Sequence, residues 1–311
     1  MLEKLELVVD ARASLGEGPC WDEQKQLLYW VDILEKKLFI YNPATNSNRE
    51  ILFDQQIGCV VSDTSGGMIL AMKQGFHSLN LETEELKHIH DPEPHLLENR
   101  FNDGKCDPAG RFWSGTTDLY GVNTAGSLYF LDTDFSVKKQ LNNVNTSNGL
   151  AWSPDHRYLY FIDTPTKKVT RFDYDIHTGT ISNPIDIIRI PNDEGLPDGM
   201  TIDEEGCLWI AHWGGAKITR WNPMTGEKIL TVPVPALNVT SCTFGGSNLT
   251  ELYITTARTR MNPNQLEVYP YAGGVFRIKT QVKGCPTYQF NHKKSQKKMN
   301  RVTDNRSKFP H

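Results

Sequence analysis

The chain is 311 residues long, 38% hydrophobic, and carries a formal net charge of −4. That charge gives the molecule no electrostatic basis for gripping nucleic acid or an anionic membrane, and neither partner is expected. Its six cysteines lie far apart with no CxxC pair, so reduced and mostly buried thiols are expected, not a disulfide framework.

In chain order, the opening MLEKLELVVDARASLGEG lacks the apolar core of a secretory signal. No later stretch approaches the ~20 apolar residues of a membrane-spanning helix. A cytoplasmic protein is expected. From residue 27 a short phrase then recurs: LLYWVD, GMILAM, RFWSGT, YLYFID, CLWIAH and ELYITT. Its centres, Tyr29, Ile69, Trp113, Tyr160, Trp209 and Tyr253, stand 40 to 49 residues apart. Each phrase is followed by a second strand-like run: KLFIY, FHSL, SLYFL, TRFDYD, ITRWN and GVFRI. The runs are short, rich in β-branched and aromatic residues, and bounded by Gly, Pro, Asn and Asp. No window sustains the apolar stripe of a long helix.

Six such units predict an all-β, six-bladed β-propeller with four-stranded blades, occupying residues 1–292 as one domain. A β-sandwich gives no reason for a sixfold period. Residues 3–9 (EKLELVV) precede the first unit and are expected to close the ring as the outer strand of the last blade. Residues 293–311 carry seven Lys or Arg against one Asp and are expected to form a disordered, solvated tail.

Aligning the units on their innermost strands gives one equivalent position, five residues before Asp22, Asp63, Asp107, Ser153, Asp203 and Gly245. It is occupied by Glu17, Gly58, Asn102, Asn148, Asp198 and Thr240. In a propeller this position faces the central channel at one mouth, so Glu17, Asn102, Asn148 and Asp198 are expected to converge on the axis. Any one Asn-Gly or Asp-Gly pair reads first as a turn. Four polar residues at one phase, two of them carboxylates, read as a site. Carboxylates crowded out of water need a proton or a cation. Oxygen donors without His or Cys favour Ca²⁺, Mg²⁺ or Mn²⁺ over Zn²⁺ or Fe²⁺.

Two connections expected at the same mouth are long, about 115–126 and 257–273. They bring Asp118, Tyr120, Arg258 and Tyr271 into reach. His212 and Trp213 end a strand at the same rim, and His212 reads as a packed, hydrogen-bonded residue before a catalytic one. No GxSxG elbow or Cys/His nucleophile pairing is present, so covalent catalysis is not expected.

At these residues the chain resembles a known family. LGEGPCWDEQKQLLYWVDI, NRFNDGKCDPAGRFWSGT, SNGLAWSPDHRYLYFIDT, LPDGMTIDEEGCLWIAHWGG and CTFGGSNLTELYITTAR resemble the sugar lactonases, which include gluconolactonase, senescence marker protein (regucalcin) and luciferin-regenerating enzyme. The likeness runs from about Leu15 to Ile278. The AHWGG and TTAR…AGGVF segments look closer to bacterial aldonolactonases. The resemblance implies a six-bladed propeller with one divalent metal ion (Ca, Mn, Mg, Zn or Fe) held by Glu17, Asn148 and Asp198. It implies that Arg100 and Asn102 hold substrate hydroxyls and that Asp198 is the general base. Asp118 and Tyr120 join the expected substrate contacts. This chain reads GTTDLYG where regucalcin-type members have an acidic pair, so their substrate preference is not carried over.

The function so implied is hydrolysis of an aldonolactone to its acid. The expected partner is a small-molecule sugar lactone, and the expected state is a monomer or weak oligomer. The rivals are a non-catalytic calcium-binding regulator of regucalcin type and a propeller scaffold, for which no GH…WD signature appears.

Overall fold

A computed structural model describes residues 4–121 and 124–292. The basic tail falls outside them. The described chain forms six four-stranded antiparallel sheets. The innermost strands are Gly16–Asp22, Ile57–Ser62, Asn99–Cys106, Ser147–Trp152, Leu196–Ile202 and Asn238–Gly245, one for each of blades one to six. Each neighbours the next, and the sixth neighbours the first, so they enclose the axis. The N-terminal strand Glu6–Val9 pairs with Val275–Lys279 at the outer edge of blade six. The ring is therefore closed by the two ends of the sequence, as expected.

The repeated phrase is the second strand of each blade, and its central residue is buried in all six. In blade three Asp107 directly follows the inner strand. One oxygen takes the turn amides of Ala109 and Arg111, while the other accepts from Trp113 Nε1 at 2.9 Å and from Tyr174 Oη at 2.8 Å. In blade five Asp203 holds the turn amides of Glu205 and Cys207 and accepts from Trp209 Nε1 at 2.8 Å. Turn and core are thus tied by a single carboxylate, and a buried indole N–H finds its partner. Between blades, aromatic and aliphatic side chains fill the wedges: Trp21 stacks on Tyr253 with ring centroids 5.4 Å apart across the seam between blades one and six. All six cysteines are free, and five are buried.

One feature recurs in all six inner strands. Their pairing with the second strand slips between Glu17 and Cys20, Ile57 and Cys59, Phe101 and Gly104, Ser147 and Leu150, Pro197 and Met200, and Val239 and Ser241. A bulge at this point turns the strand and redirects side chains. The residue singled out by sequence phase sits at each bulge.

The other end of the channel is crossed by residues 280–291. This strap bonds to blade six at Thr250 and Leu249, to blade five at Ile202 and Glu204, to blade one at Glu23, and to blade four through Tyr288 Oη and His156 Nε2. It ends on blade two at Ser62 and Thr64 and on blade three at Gly110. All its partners lie at the ends of inner strands or in the turns that follow, opposite the mouth bearing Glu17 and its equivalents.

Among the described residues the sole α-helix is Pro263–Val268. It lies in the long blade-six loop and is capped reciprocally by Asn262 and Gln265. No described helix is long and apolar enough to cross a membrane.

Candidate functional site

At the mouth opposite the strap lies a cavity of about 390 Å³. Glu17, Arg100, Asn102, Asp118, Asn148 and Asp198 all line it. Tyr120 does not. It lies just outside, 71% exposed, and its backbone N–H donates to Asp118 Oδ1 at 2.9 Å. Of the other rim residues, Trp213 lines the cavity, whereas His212, Arg258 and Tyr271 do not. Arg258 Nη1 instead reaches Ala272 O, inside its own loop. Arg260, two residues on, lines the mouth. Sequence reasoning passed over Arg260, and its only signal was a second arginine in a long loop.

A chain of hydrogen bonds links the polar walls. Arg100 Nη1 donates to Asn102 Oδ1 at 2.7 Å, and Asn102 Nδ2 donates to Asn148 Oδ1 at 2.9 Å. Asn148 Nδ2 donates to Thr164 Oγ1 at 2.7 Å, and Thr164 Oγ1 donates to Pro197 O at 2.8 Å, beside Asp198. The chain runs through blades three, four and five and fixes each amide in one orientation.

The carboxylates are under stress. Burial, then the charge of Asp103, pushes Glu17 up to about 8, and Arg100 and the Gly18 amide offset only part of this. Asp198 is raised well above the ordinary range by burial, then by Glu17 and Asp103. Burial pulls Arg100 down to about 10, against the pull of Glu17 and Asp198. Asp103, whose Oδ1 accepts from Gly104 N at 2.7 Å, is also raised by burial. It sits in the register slip of its strand and adds a third carboxylate near Glu17 and Asp198. Lys105, held to Met200 O at 2.8 Å, is the cation that opposes it.

The donor set suits a hard divalent cation. Two buried carboxylates with raised affinity for protons would be relieved by one. Asn148 Oδ1 keeps a second lone pair beyond its bond from Asn102. Among the described residues no group of three or more His, Cys, Asp or Glu side chains is gathered for a metal, so Asn148 would complete the set. Cys59, whose thiol burial drives well up, does not line the cavity.

His212 is fully buried. Its Nδ1–H donates to Glu194 O at 2.9 Å, and Nε2 accepts from Thr219 Oγ1 at 2.6 Å. Burial lowers its pKa to about 4, so it is neutral. The packed reading of His212 matches this environment.

Residues 15–258 match the family described as the SMP-30/gluconolactonase/LRE-like region. A Bacillus subtilis protein, provisionally named sugar lactone lactonase YvrE, is 42% identical over 91% of this chain and 97% of its own length. Rabbit (Oryctolagus cuniculus) regucalcin is 40% identical over 92% of this chain and 98% of its own. A solved luciferin-regenerating enzyme superimposes with a TM-score of 0.87 at 32% identity, covering 93% of this chain and 99% of that one.

Proposed function

The chain belongs to the SMP-30/gluconolactonase/LRE-like family, and from that premise we propose that it hydrolyses a sugar lactone to the open-chain acid, using a divalent cation held by Glu17, Asn148 and Asp198. The observation that carries this reading is that these three residues, Arg100 and Asn102 line one open cavity of sugar size. A bound divalent cation supplies Lewis-acid polarisation of the ring carbonyl.

The protein's own groups do the rest. Water adds to the carbonyl carbon and loses its proton to Asp198 Oδ, which lines the cavity beside Glu17 and Asn148. The ring C–O bond then breaks, and the alkoxide takes up a proton, leaving a hydroxy acid that ionises. Arg100 offers N–H donors to ring hydroxyls, while the hydrogen-bond chain holds it and Asn102 in place. Asp118 would accept from a hydroxyl further out. Tyr120, on the exposed rim, would meet only a substrate that extends past the mouth. Such polar contacts discriminate strongly, because an analogue lacking the hydroxyl leaves a buried partner unpaired.

A non-catalytic calcium binder would need the ligands but not the open, donor-lined space beside them. The test is acid release from a panel of glucono-, galactono-, arabino- and xylono-lactones with Mn²⁺ or Ca²⁺, before and after EDTA, on wild type and Asp198→Ala. Turnover that EDTA abolishes, and that Asp198→Ala lowers by about 10²-fold or more, is expected. Cation binding with no turnover of any lactone would reject the enzyme in favour of the regulator.

A further inference from the structure

In every blade, the residue just before the bulge position pairs with an equivalent residue of the second strand. The pairs are Gly16 with Asp32, Ile57 with Met72, Phe101 with Thr116, Ser147 with Asp163, Pro197 with His212, and Val239 with Thr256. The second-strand partners differ in a way that follows the site. In blade one Asp32 Oδ2 accepts from Ser14 N at 2.7 Å and Oδ1 from Leu15 N at 3.0 Å, gripping the approach to Glu17. In blade four Asp163 Oδ2 accepts from Asn145 N at 3.1 Å and Oδ1 from Thr146 N at 2.9 Å, gripping the approach to Asn148 in the same manner. In blade five His212 Nδ1–H holds Glu194 O, on the approach to Asp198.

Where the axis receives no candidate ligand, this hold differs. Blade two, with Gly58 at the axis, has Met72, which cannot donate to or strongly accept from the backbone. Blade six, with Thr240, has Thr256, whose hydroxyl donates at 2.7 Å to Gly274 O just before the third strand, not to the approach. Blade three, which supplies Asn102, has an indirect version. Thr116 donates to Glu93 Oε1, and Glu93 Oε2 accepts from Asn99 Nδ2 at 2.8 Å.

We propose that Asp32, Asp163 and His212 are positioning residues, each clamping the backbone that enters its inner strand so that Glu17, Asn148 and Asp198 meet at one point on the axis. The inference rests on the reading of those three as cation ligands. A carboxylate with both oxygens bound to consecutive amides fixes the entry dihedrals of the strand, and the ligand lies two residues on. An amide cannot replace it, because one of its two terminal atoms would turn a donor toward an N–H.

The test is calorimetric titration of Ca²⁺ or Mn²⁺ into EDTA-stripped full-length protein, together with thermal unfolding. The variants are Asp32→Asn, Asp163→Asn and, as a control, Asp22→Asn. Asp22 holds the turn amides of Gln24 and Lys25 at the far end of the strand that carries Glu17. Asp32→Asn and Asp163→Asn should bind the cation at least about tenfold more weakly, as loss of a group that orients a metal ligand does. Asp22→Asn should lose stability with its cation affinity unchanged. Should an Asp variant not fold, His212→Gln makes the same comparison for Asp198. Folded variants that bind like wild type, or a control weakened as much as they are, would overturn the clamp. A wild-type protein that binds neither cation would instead remove the ligand reading beneath it.

Discussion

Asp198 and Glu17 are ordinary carboxylates in an extraordinary setting. Each is 5% exposed, and each repels the other, so the interior disfavours charging both. His212 shows the same physics with the opposite sign. Its unfolded-state pKa is 6.5 and its folded value about 4. As pH falls, the unfolded chain takes up a proton that the native state refuses. Stability from this residue is full above pH 6.5 and is lost as pH falls toward 4, on the order of 3 kcal/mol across that window. In His212→Gln this component is absent. Chemical denaturation at several pH values should therefore show the gap between wild type and variant narrowing from pH 7 to pH 4. A gap that stays constant would mean that His212 titrates normally in the fold.

At the scale of the element, the six inner strands are one design repeated. Each starts at the open mouth, slips register once, and ends on a turn that most blades tie with an aspartate. The slip needs room. A Cβ on Gly199 would come within 2.1 Å of Ser241 Oγ and 2.8 Å of Ser241 Cα, so the Gly199 backbone packs directly on Ser241 of the adjacent inner strand. Gly199→Ala should cost about 1–3 kcal/mol, the usual penalty for overpacking a close-packed contact, read from the urea midpoint at constant slope. An unchanged midpoint would show that blades five and six can part without loss. The glycines after Glu17, Asn148 and Asp198 are legible in the sequence as permissive positions. The bulge they accompany is not, because pairing register depends on the partner strand.

At the scale of the molecule, closure is made twice. The N-terminal strand completes blade six, with Arg277 Nη2 bound to Glu6 Oε2 at 2.7 Å. The 280–291 strap then reaches all six blades across the opposite mouth and buries Phe290 fully. Burying one phenylalanine is worth about 2–3 kcal/mol. At roughly 2–4 °C per kcal/mol in a chain of this size, ending the protein at Lys279 instead of His292 should lower Tm by at least ~4 °C. Equal melting of the two truncations would show that the strap merely rests on the ring.

The sequence by itself determined the number of blades, the closing strand and the convergence of Glu17, Asn102, Asn148 and Asp198, because each follows from a period, and a period is local information repeated. It also carried the family resemblance. Tertiary structure alone decided that Arg260 lines the mouth while Arg258 anchors its loop, that Tyr120 stands outside the cavity, and that the segment after Ile278 straps the ring. It alone decided that Asp32, Asp163 and His212 occupy one equivalent place. These depend on which way a side chain leaves an irregular backbone and on which strand lies beside it. Both are set by packing between residues far apart in the chain, where no sequence period reaches.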